Sequence, residues 1–461
     1  MKAIEKTNIK SIATRNLNLI IVFIVSALIN VYVAFINGYP LVDSDSGAYL
    51  NTGAGGFIPN DRPPFYGWFI NFTSFKTSLW YAIIIQSFIV VFLLHKYISG
   101  ILDRTIEKRF YFINVLIICS FTCISWISSF LMPDIYGALL LLVLVIYLTS
   151  SNNSFFAHIG YLFLLLLINL IHNSHFIISL IFSVFVIVYS LIIKNKSFLK
   201  KSIFISIVAI FSYVVLCSIN LTLGRGFTYS QNSNVFLVSR LAEMGLLKTY
   251  LDDNCGKKNL RLCPYKDQIP ARSWEFMWTE QSPLARTGGW DSNKVDNNII
   301  VHDIFTTPAY SVKFLQKAIL GTLRQFTQIT APDFYMVLGE NSSPSNSIKK
   351  FYSDEHNEYK SSWQNTAGIS ATTFNIYYNL FFVLSCVWIL FHFNLLKPHH
   401  IQTYMFIVVF LFINAFVTSA FSTILNRYQN RVFWVLPATN AIFILDYYWK
   451  KYGSTIYGNS V

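Results

Sequence analysis

The chain has 461 residues, 54% of them hydrophobic and only 12% charged, with a formal net charge of +13. Soluble domains carry about 25% charged residues, so this composition, with a mean hydropathy of +0.47, excludes an ordinary soluble protein and implies a polytopic membrane protein. The basic excess sits in short clusters between apolar blocks, which excludes a nucleic-acid footprint and fits cytoplasmic anchoring.

A spanning helix needs about 20 mostly apolar residues. In chain order, that rule predicts spans over 17–38, 78–99, 110–131, 135–150, 155–171, 175–194, 203–223, 371–394, 401–425 and 432–449. The expected fold is an all-α polytopic membrane protein of about ten transmembrane helices. It divides into an N-terminal membrane domain (1–223), a large mixed outer-face segment (224–370) and a C-terminal membrane segment (371–461) holding the last three spans. The run from Leu17 to Asn37 is too long for a signal-peptide core and lacks a small-residue cleavage site.

Orientation follows from the basic clusters. Lys2, Lys6, Lys10 and Arg15, then Lys96, Arg104, Lys108 and Arg109, then Lys194, Lys196, Lys200 and Lys201, then Lys397, and last Lys450 and Lys451, all fall on one side of a ten-span chain. The positive-inside rule makes that side cytoplasmic. Both termini then lie inside and the active face outside, as expected for a bacterial inner (plasma) membrane protein.

The first outer loop (39–77) carries DSDSGAYLNTGAGGFIPNDRPPFYGW over 43–68. Acids at a membrane edge are costly unless solvated or paired, and this stretch holds Asp43, Asp45 and Asp61. Asp43 and Asp45 would point the same way from an extended segment, and either could accept a proton from an attacking hydroxyl. Alternatively, Asp43 or Ser44 caps a helix beginning near 46–50. Pro63 and Pro64 predict an extended, rigid stretch after Arg62. Arg62 could grip a phosphate there or snorkel to the head groups. At the next outer corner Asp134 either caps the fourth span or faces Asp45 as a second acid. His172 and His175 would need a third ligand to hold a metal. Bonding to a phosphate or to Asp134, or a plain interfacial pair, are the alternatives.

Segment 224–370 is nearly charge-balanced and rich in tryptophan, the composition of an ordered region. Cys255 and Cys263 are its candidate disulfide, whereas Cys119, Cys123, Cys217 and Cys386 lie in apolar blocks and read as small hydrophobes. From Tyr310 to Thr330, Val312, Leu315, Ile319, Leu323 and Phe326 recur at helical spacing beside Lys313, Lys317 and Arg324. That pattern predicts an amphipathic helix, either on the bilayer surface or inside the soluble region. Residues 341–348 (NSSPSNSI) read as a loop. Arg225, Arg240, Glu243, Glu275, Asp291 and His302 are polar candidates that nothing in the sequence ranks. Between the last two spans, Arg427 and Arg431 stand on the outer side against the positive-inside bias, so an anionic phosphate or acids of the large segment should face them.

An acid after the first span with a tyrosine four residues on, then Arg-Pro-Pro-aromatic-Tyr before the second, is a specific order. Asp45, Tyr49, Pro59, Arg62, Pro63, Pro64, Tyr66 and Trp68 carry it. It resembles the first outer loop of GT-C-type glycosyltransferases, polytopic enzymes that use polyprenyl-phosphate sugars, such as relatives of protein mannosyltransferases and aminoarabinose transferases. Arg427-Tyr428 with Pro437 resembles that family's Arg-Tyr…Pro element. Many members carry Asp-Glu where this chain has Asp-Ser twice, and 224–370 has no counterpart. The resemblance implies Asp45 as the catalytic residue, with Asp43 second. Arg62, Arg427 and Arg431 would hold the donor phosphate, with Tyr49, Tyr66, Asp134, His172 and His175 in support. It implies a polyprenyl-phosphate sugar donor and an envelope glycan, lipid or protein acceptor, with no required cofactor and a divalent metal optional. The residues alone also leave room for another lipid-linked glycan polymerase or ligase, another envelope-modifying transferase, or a transporter.

Overall fold

The computed structural model describes residues 18–150, 154–331, 334–335 and 337–457. Lys2, Lys6, Lys10 and Arg15 lie outside the described residues. The fold is all-α. Among the described residues the only strands are Phe334–Tyr335 and Ile369–Ser370, paired antiparallel, so segment 224–370 is helical rather than mixed.

Among the described residues, five helices are long and apolar enough to cross a membrane: Leu79–Leu102, Asn173–Ile192, Lys196–Thr222, Thr372–Phe391 and Pro398–Phe421. Asn18–Asn30, Ile135–Thr149 and Phe155–Ile171 are apolar but shorter. Periodicity misses two breaks. Within 17–38 the helix is interrupted at Val31 before Tyr32–Asn37 resumes. Within 110–131, Lys108–Phe121 ends at Thr122, whose hydroxyl donates to the Ile118 carbonyl at 2.7 Å, a local bond that competes with the helix. Ile135–Thr149 is buried along nearly its whole length, so it runs through the middle of the bundle with no polar face to show.

Arg104, Lys201 and Lys450, from three of the basic clusters, lie at the end of this bundle opposite the acidic loop. Asp134 precedes Ile135–Thr149, and Lys201 donates to the Leu148 and Ser150 carbonyls at its other end (3.0 and 2.7 Å). Near that same end Arg104 pairs with Asp446 at 2.7 Å and Lys450 with Asp446 at 2.6 Å.

Segment 224–370 feeds two cores. Helices from Ser233–Glu243 to Pro308–Phe326 form a lobe around their own buried cluster, which includes Val238, Leu247, Tyr250, Phe276 and Ile300. Cys255 and Cys263 are disulfide-bonded within it, with Cα atoms 5.5 Å apart. Residues beyond the lobe instead join the core of the main bundle through Ile348, Tyr352, Tyr359 and Ile369. There the expected loop 341–348 is helical: Ser342 caps Ser343–Phe351, accepting from the Ser345 N–H, and Pro344 sits in the first turn. This helix packs on Ser46–Gly55, and the Asn51 amide donates to the Ser347 hydroxyl at 2.8 Å.

Candidate functional site

A left-handed Gly38 (φ 77°) ends Tyr32–Asn37 and turns the chain back. Leu41 then pairs with the corner before Pro133: its N–H donates to the Ser129 carbonyl and its carbonyl accepts from Leu131, both at 2.9 Å. The Ser46 hydroxyl donates to the Leu131 carbonyl at 3.0 Å. From the far side Gln364 brackets Val42, accepting from its N–H at 3.1 Å and donating to its carbonyl at 2.8 Å. Asp43 and Asp45 are thus fixed against Asp134.

Two close approaches complete the frame. A Cβ on Gly67 would lie 2.7 Å from the Tyr49 carbonyl oxygen, so Ser46–Gly55 and Phe65–Thr73 cross with no room for a side chain. A Cβ on Gly137 would lie 3.1 Å from Val432 and 3.5 Å from the Arg431 guanidinium. Helix Asn426–Phe433 therefore lays Arg431 along the start of Ile135–Thr149.

The result is a network of three arginines and four aspartates. Arg62 pairs with Asp45 at 3.2 Å and Asp61 at 2.9 Å. Arg427 reaches Asp43 at 3.0 Å, Asp45 at 3.4 Å and Asp134 at 3.8 Å. Arg431 reaches Asp134 at 3.5 Å. Burial grades across it: the Arg431 and Asp134 side chains are 2% and 8% exposed, while Asp45 is 36% exposed. Tyr49 lies under the Arg62 guanidinium at 5.3 Å, and Tyr66 meets Tyr49 edge-on at 5.1 Å while donating to Gln86 at 3.1 Å.

Several local expectations change here. Asp45 and Asp134 both precede helices, yet neither side chain makes a cap bond; the arginines take their oxygens instead. Asp43 does not cap that helix either: it accepts from the Asp45 N–H at 3.3 Å and from the Ser44 hydroxyl at 3.0 Å, and pairs with Arg427. The extended stretch expected of Pro63 and Pro64 does not run through Pro64. Pro64 has helical angles (φ −78°, ψ −17°) and opens Phe65–Thr73, because a proline is well accommodated at a helix start. His172 caps Asn173–Ile192, its Nδ1 accepting from the Ser174 N–H at 3.2 Å. His175 sits behind it, rings 5.1 Å apart, and shares its Nδ1 proton with the Ile168 carbonyl at 2.8 Å. Among the described residues, no group of three or more His, Cys, Asp or Glu is arranged to hold a metal ion.

The network lines one end of a cavity of about 420 Å³, with Tyr49 and His172 beside it. The other walls are mainly apolar, with Phe176, Ile177, Phe236, Leu237, Val417 and Phe421, and also carry Ser230, Ser233, Asn234, Thr418 and Ser422. Although so many acids are near, buried guanidinium nitrogens remain without hydrogen-bond partners: Nη1 of Arg62, Nε of Arg427, and Nε and Nη2 of Arg431. Buried donors are normally satisfied, so this is a site with anion-binding capacity left over.

Electrostatics set the protonation states. Burial raises the Asp45 carboxyl, but Arg62 and Arg427 outweigh it and hold the group below its ordinary range. Burial also disfavours charge on Arg62 and Arg427, yet their carboxylate partners, Asp45 for Arg62 and Asp134 and Asp43 for Arg427, keep both firmly cationic. Burial, followed by the charge of Arg431, pushes His172 well below its ordinary value, so it faces the cavity neutral.

Other residues do not announce themselves in the sequence. The Asn173 amide donates to the Asp61 carbonyl at 2.9 Å, and the Tyr229 hydroxyl donates to the Asn173 carbonyl at 2.8 Å. Arg225 donates to the Pro59 carbonyl at 3.1 Å. These bonds tie the start of segment 224–370 over the loop. Arg240 pairs with Glu243 at 2.9 Å and donates to the Ser419 carbonyl at 2.5 Å, bracing the lobe on Pro398–Phe421. Glu275, Asp291 and His302 do not line the cavity. No protein-family model, no curated protein and no solved structure matches the chain.

Proposed function

We propose that this protein is an inverting integral-membrane glycosyltransferase of GT-C type. It moves a sugar from a polyprenyl-phosphate donor to an envelope glycan, lipid or protein at the outer face of a bacterial inner membrane. The single observation that carries the reading is the set of buried, unbonded guanidinium N–H groups beside Asp45, in a cavity whose remaining walls are mainly apolar. A lipid phosphate has matching halves. The proposal includes about ten spans with both termini in the cytoplasm; basic clusters at the bundle end remote from the cavity support that orientation.

In this reading the donor phosphate takes the free N–H groups of Arg62, Arg427 and Arg431, and the prenyl chain follows the apolar wall. The acceptor hydroxyl oxygen bonds the anomeric carbon as Asp45 takes its proton. The bond from that carbon to the phosphate oxygen breaks, and its electron pair leaves on the phosphate. The three guanidiniums stabilise that added charge. While two arginines grip it, Asp45 is a weak base. A phosphate that draws their N–H groups away strengthens the base when the donor is in place.

Thermal unfolding of the detergent-solubilised protein with sugar-free polyprenyl phosphate tests this. Ligand at a hundred times its Kd stabilises a one-site protein by about 2.7 kcal/mol. A rise of the midpoint in the wild type, absent from an Arg427→Gln/Arg431→Gln double variant, is expected. No rise in the wild type, or an equal rise in the variant, ends the reading.

A further inference from the structure

Helix Pro308–Phe326 presents three different faces. Phe314, Ala318, Gly321, Thr322 and Gln325 are buried. Lys313, Lys317 and Arg324 are exposed on a second side, and the helix has no acidic residue. On the third side Val312, Leu315, Ile319, Leu320 and Leu323 are 51 to 56% exposed. A water-facing helix would not turn its largest aliphatic residues outward in one continuous stripe.

The buried face shows where this helix lies. It packs along the spanning helix Pro398–Phe421 in reverse order: Phe314 meets Phe421 (ring centroids 6.2 Å), Thr322 meets Ser419 (3.4 Å), and Phe326 stacks on Phe412 (4.2 Å). Phe412 lies two and a half turns below Phe421, roughly 13 Å at about 1.5 Å per residue. Gly321 sits tightly at this seam: an added Cβ would lie 2.9 Å from the Arg240 guanidinium and 3.4 Å from Ser419. The helix therefore runs down the side of a span instead of lying flat across its end. Its outward side adjoins Phe412 of that span, which stacks on Phe326 and is itself exposed.

We propose that Pro308–Phe326 is inserted in the bilayer leaflet on the cavity side. Leu315, Ile319 and Leu323 contact acyl chains, and Lys313 and Lys317 meet the head-group phosphates. The helix thereby anchors the disulfide-bonded lobe to lipid. It also ties that anchor to the site, because Gln325 donates to the Leu425 carbonyl at 2.8 Å and accepts from the Leu425 N–H at 3.0 Å, directly before the helix that carries Arg427 and Arg431. This inference stands on packing and exposure and does not depend on the sugar-transfer reading.

Nitroxide scanning of the full chain in phosphatidylethanolamine–phosphatidylglycerol nanodiscs tests it. The labels go on Leu315→Cys, Ile319→Cys, Leu323→Cys and Lys317→Cys, in a background where Cys386, a free cysteine that is not fully buried, is replaced by serine. All four positions are exposed, so the variants should fold. Collision with oxygen relative to a water-soluble nickel chelate should be several-fold higher at 315, 319 and 323 than at 317. Nickel access at 319 and 323 equal to that at 317 would mean water covers the stripe and overturns the proposal. Low access to both reagents would mean protein covers it, and overturns it equally.

Discussion

Two charged networks in this molecule pair cations with aspartates under opposite conditions, lysines in the lobe and arginines at the cavity. In the lobe, Lys248 bridges Asp252 and Asp267 at 3.0 and 2.8 Å and Lys266 joins Asp252 at 3.0 Å, all with side chains 37 to 75% exposed. Water solvates these charges whether or not they pair, so such bridges contribute little to stability. In the cavity network, Arg431 and Asp134 are nearly withdrawn from solvent, and the arginines still hold N–H groups with no acceptor. Charges buried that way are costly unless completed. The difference teaches that the number of ion pairs says little about function, whereas the hydrogen bonds left unmade say a good deal.

The sharpest way to break that contrast is at Asp45. Asp45→Asn keeps the shape but removes the base, and sugar transfer should fall by about 10²–10⁴-fold, the usual contribution of a general base. Stabilisation by polyprenyl phosphate should survive, because the arginines remain. The same replacement at Asp252 should leave transfer unchanged. Transfer that persists in Asp45→Asn, measured on reconstituted protein, would remove the catalytic role from this residue.

Next in size is the buried pair. Asp134→Asn leaves Arg431 with a charge that neither water nor a carboxylate balances, which typically costs about 3–5 kcal/mol. The thermal midpoint in detergent should drop accordingly. Polyprenyl phosphate should restore part of the loss by supplying an anion to the same guanidinium. A midpoint equal to that of the wild type would show that Asp134 is not the counter-charge its 3.5 Å contact suggests.

The members of this network were legible before the fold because charge is so scarce in the chain. Asp45, Arg62, Asp134, Arg427 and Arg431 stood out as charges beside apolar blocks, and the topology already placed them at one end. Their pairing was not legible. Asp134 reads equally as a helix cap, and only the approach at Gly137 brings Arg431 alongside it. Gln364 and Glu355 were invisible for another reason. Gln364 holds Val42, while Glu355 accepts from the Tyr39 hydroxyl at 2.9 Å. Such contacts join parts of the chain hundreds of residues apart, and no local pattern marks them. The 341–348 stretch reads as a loop because its serines, asparagines and proline are turn formers as well as good first-turn residues. Packing on Ser46–Gly55 decided between the two.

The smallest expected effect is on pH dependence, and it separates two of the titratable groups at the cavity, His172 and Asp45. A histidine of ordinary pKa, about 6.5, would give activity a limb near neutrality. His172 is held well below that value by burial and by Arg431, so it stays neutral and should contribute no limb there. Asp45 is also depressed, by Arg62 and Arg427 acting against burial. A carboxylate whose folded value lies below its unfolded one adds stability that is fully present above the unfolded value. That stability is lost as pH falls through the folded value. The kcat/KM of transfer, which reports the donor-free protein, should therefore stay flat from about pH 8 down to the ordinary carboxylate range near pH 4, with loss only below it. The thermal midpoint should begin to fall in that same acidic window, and by less in Asp45→Asn than in the wild type. A limb near pH 6.5 that vanishes in His172→Gln would instead give the titrating role to the histidine, and Asp45 would then be only a partner of the arginines.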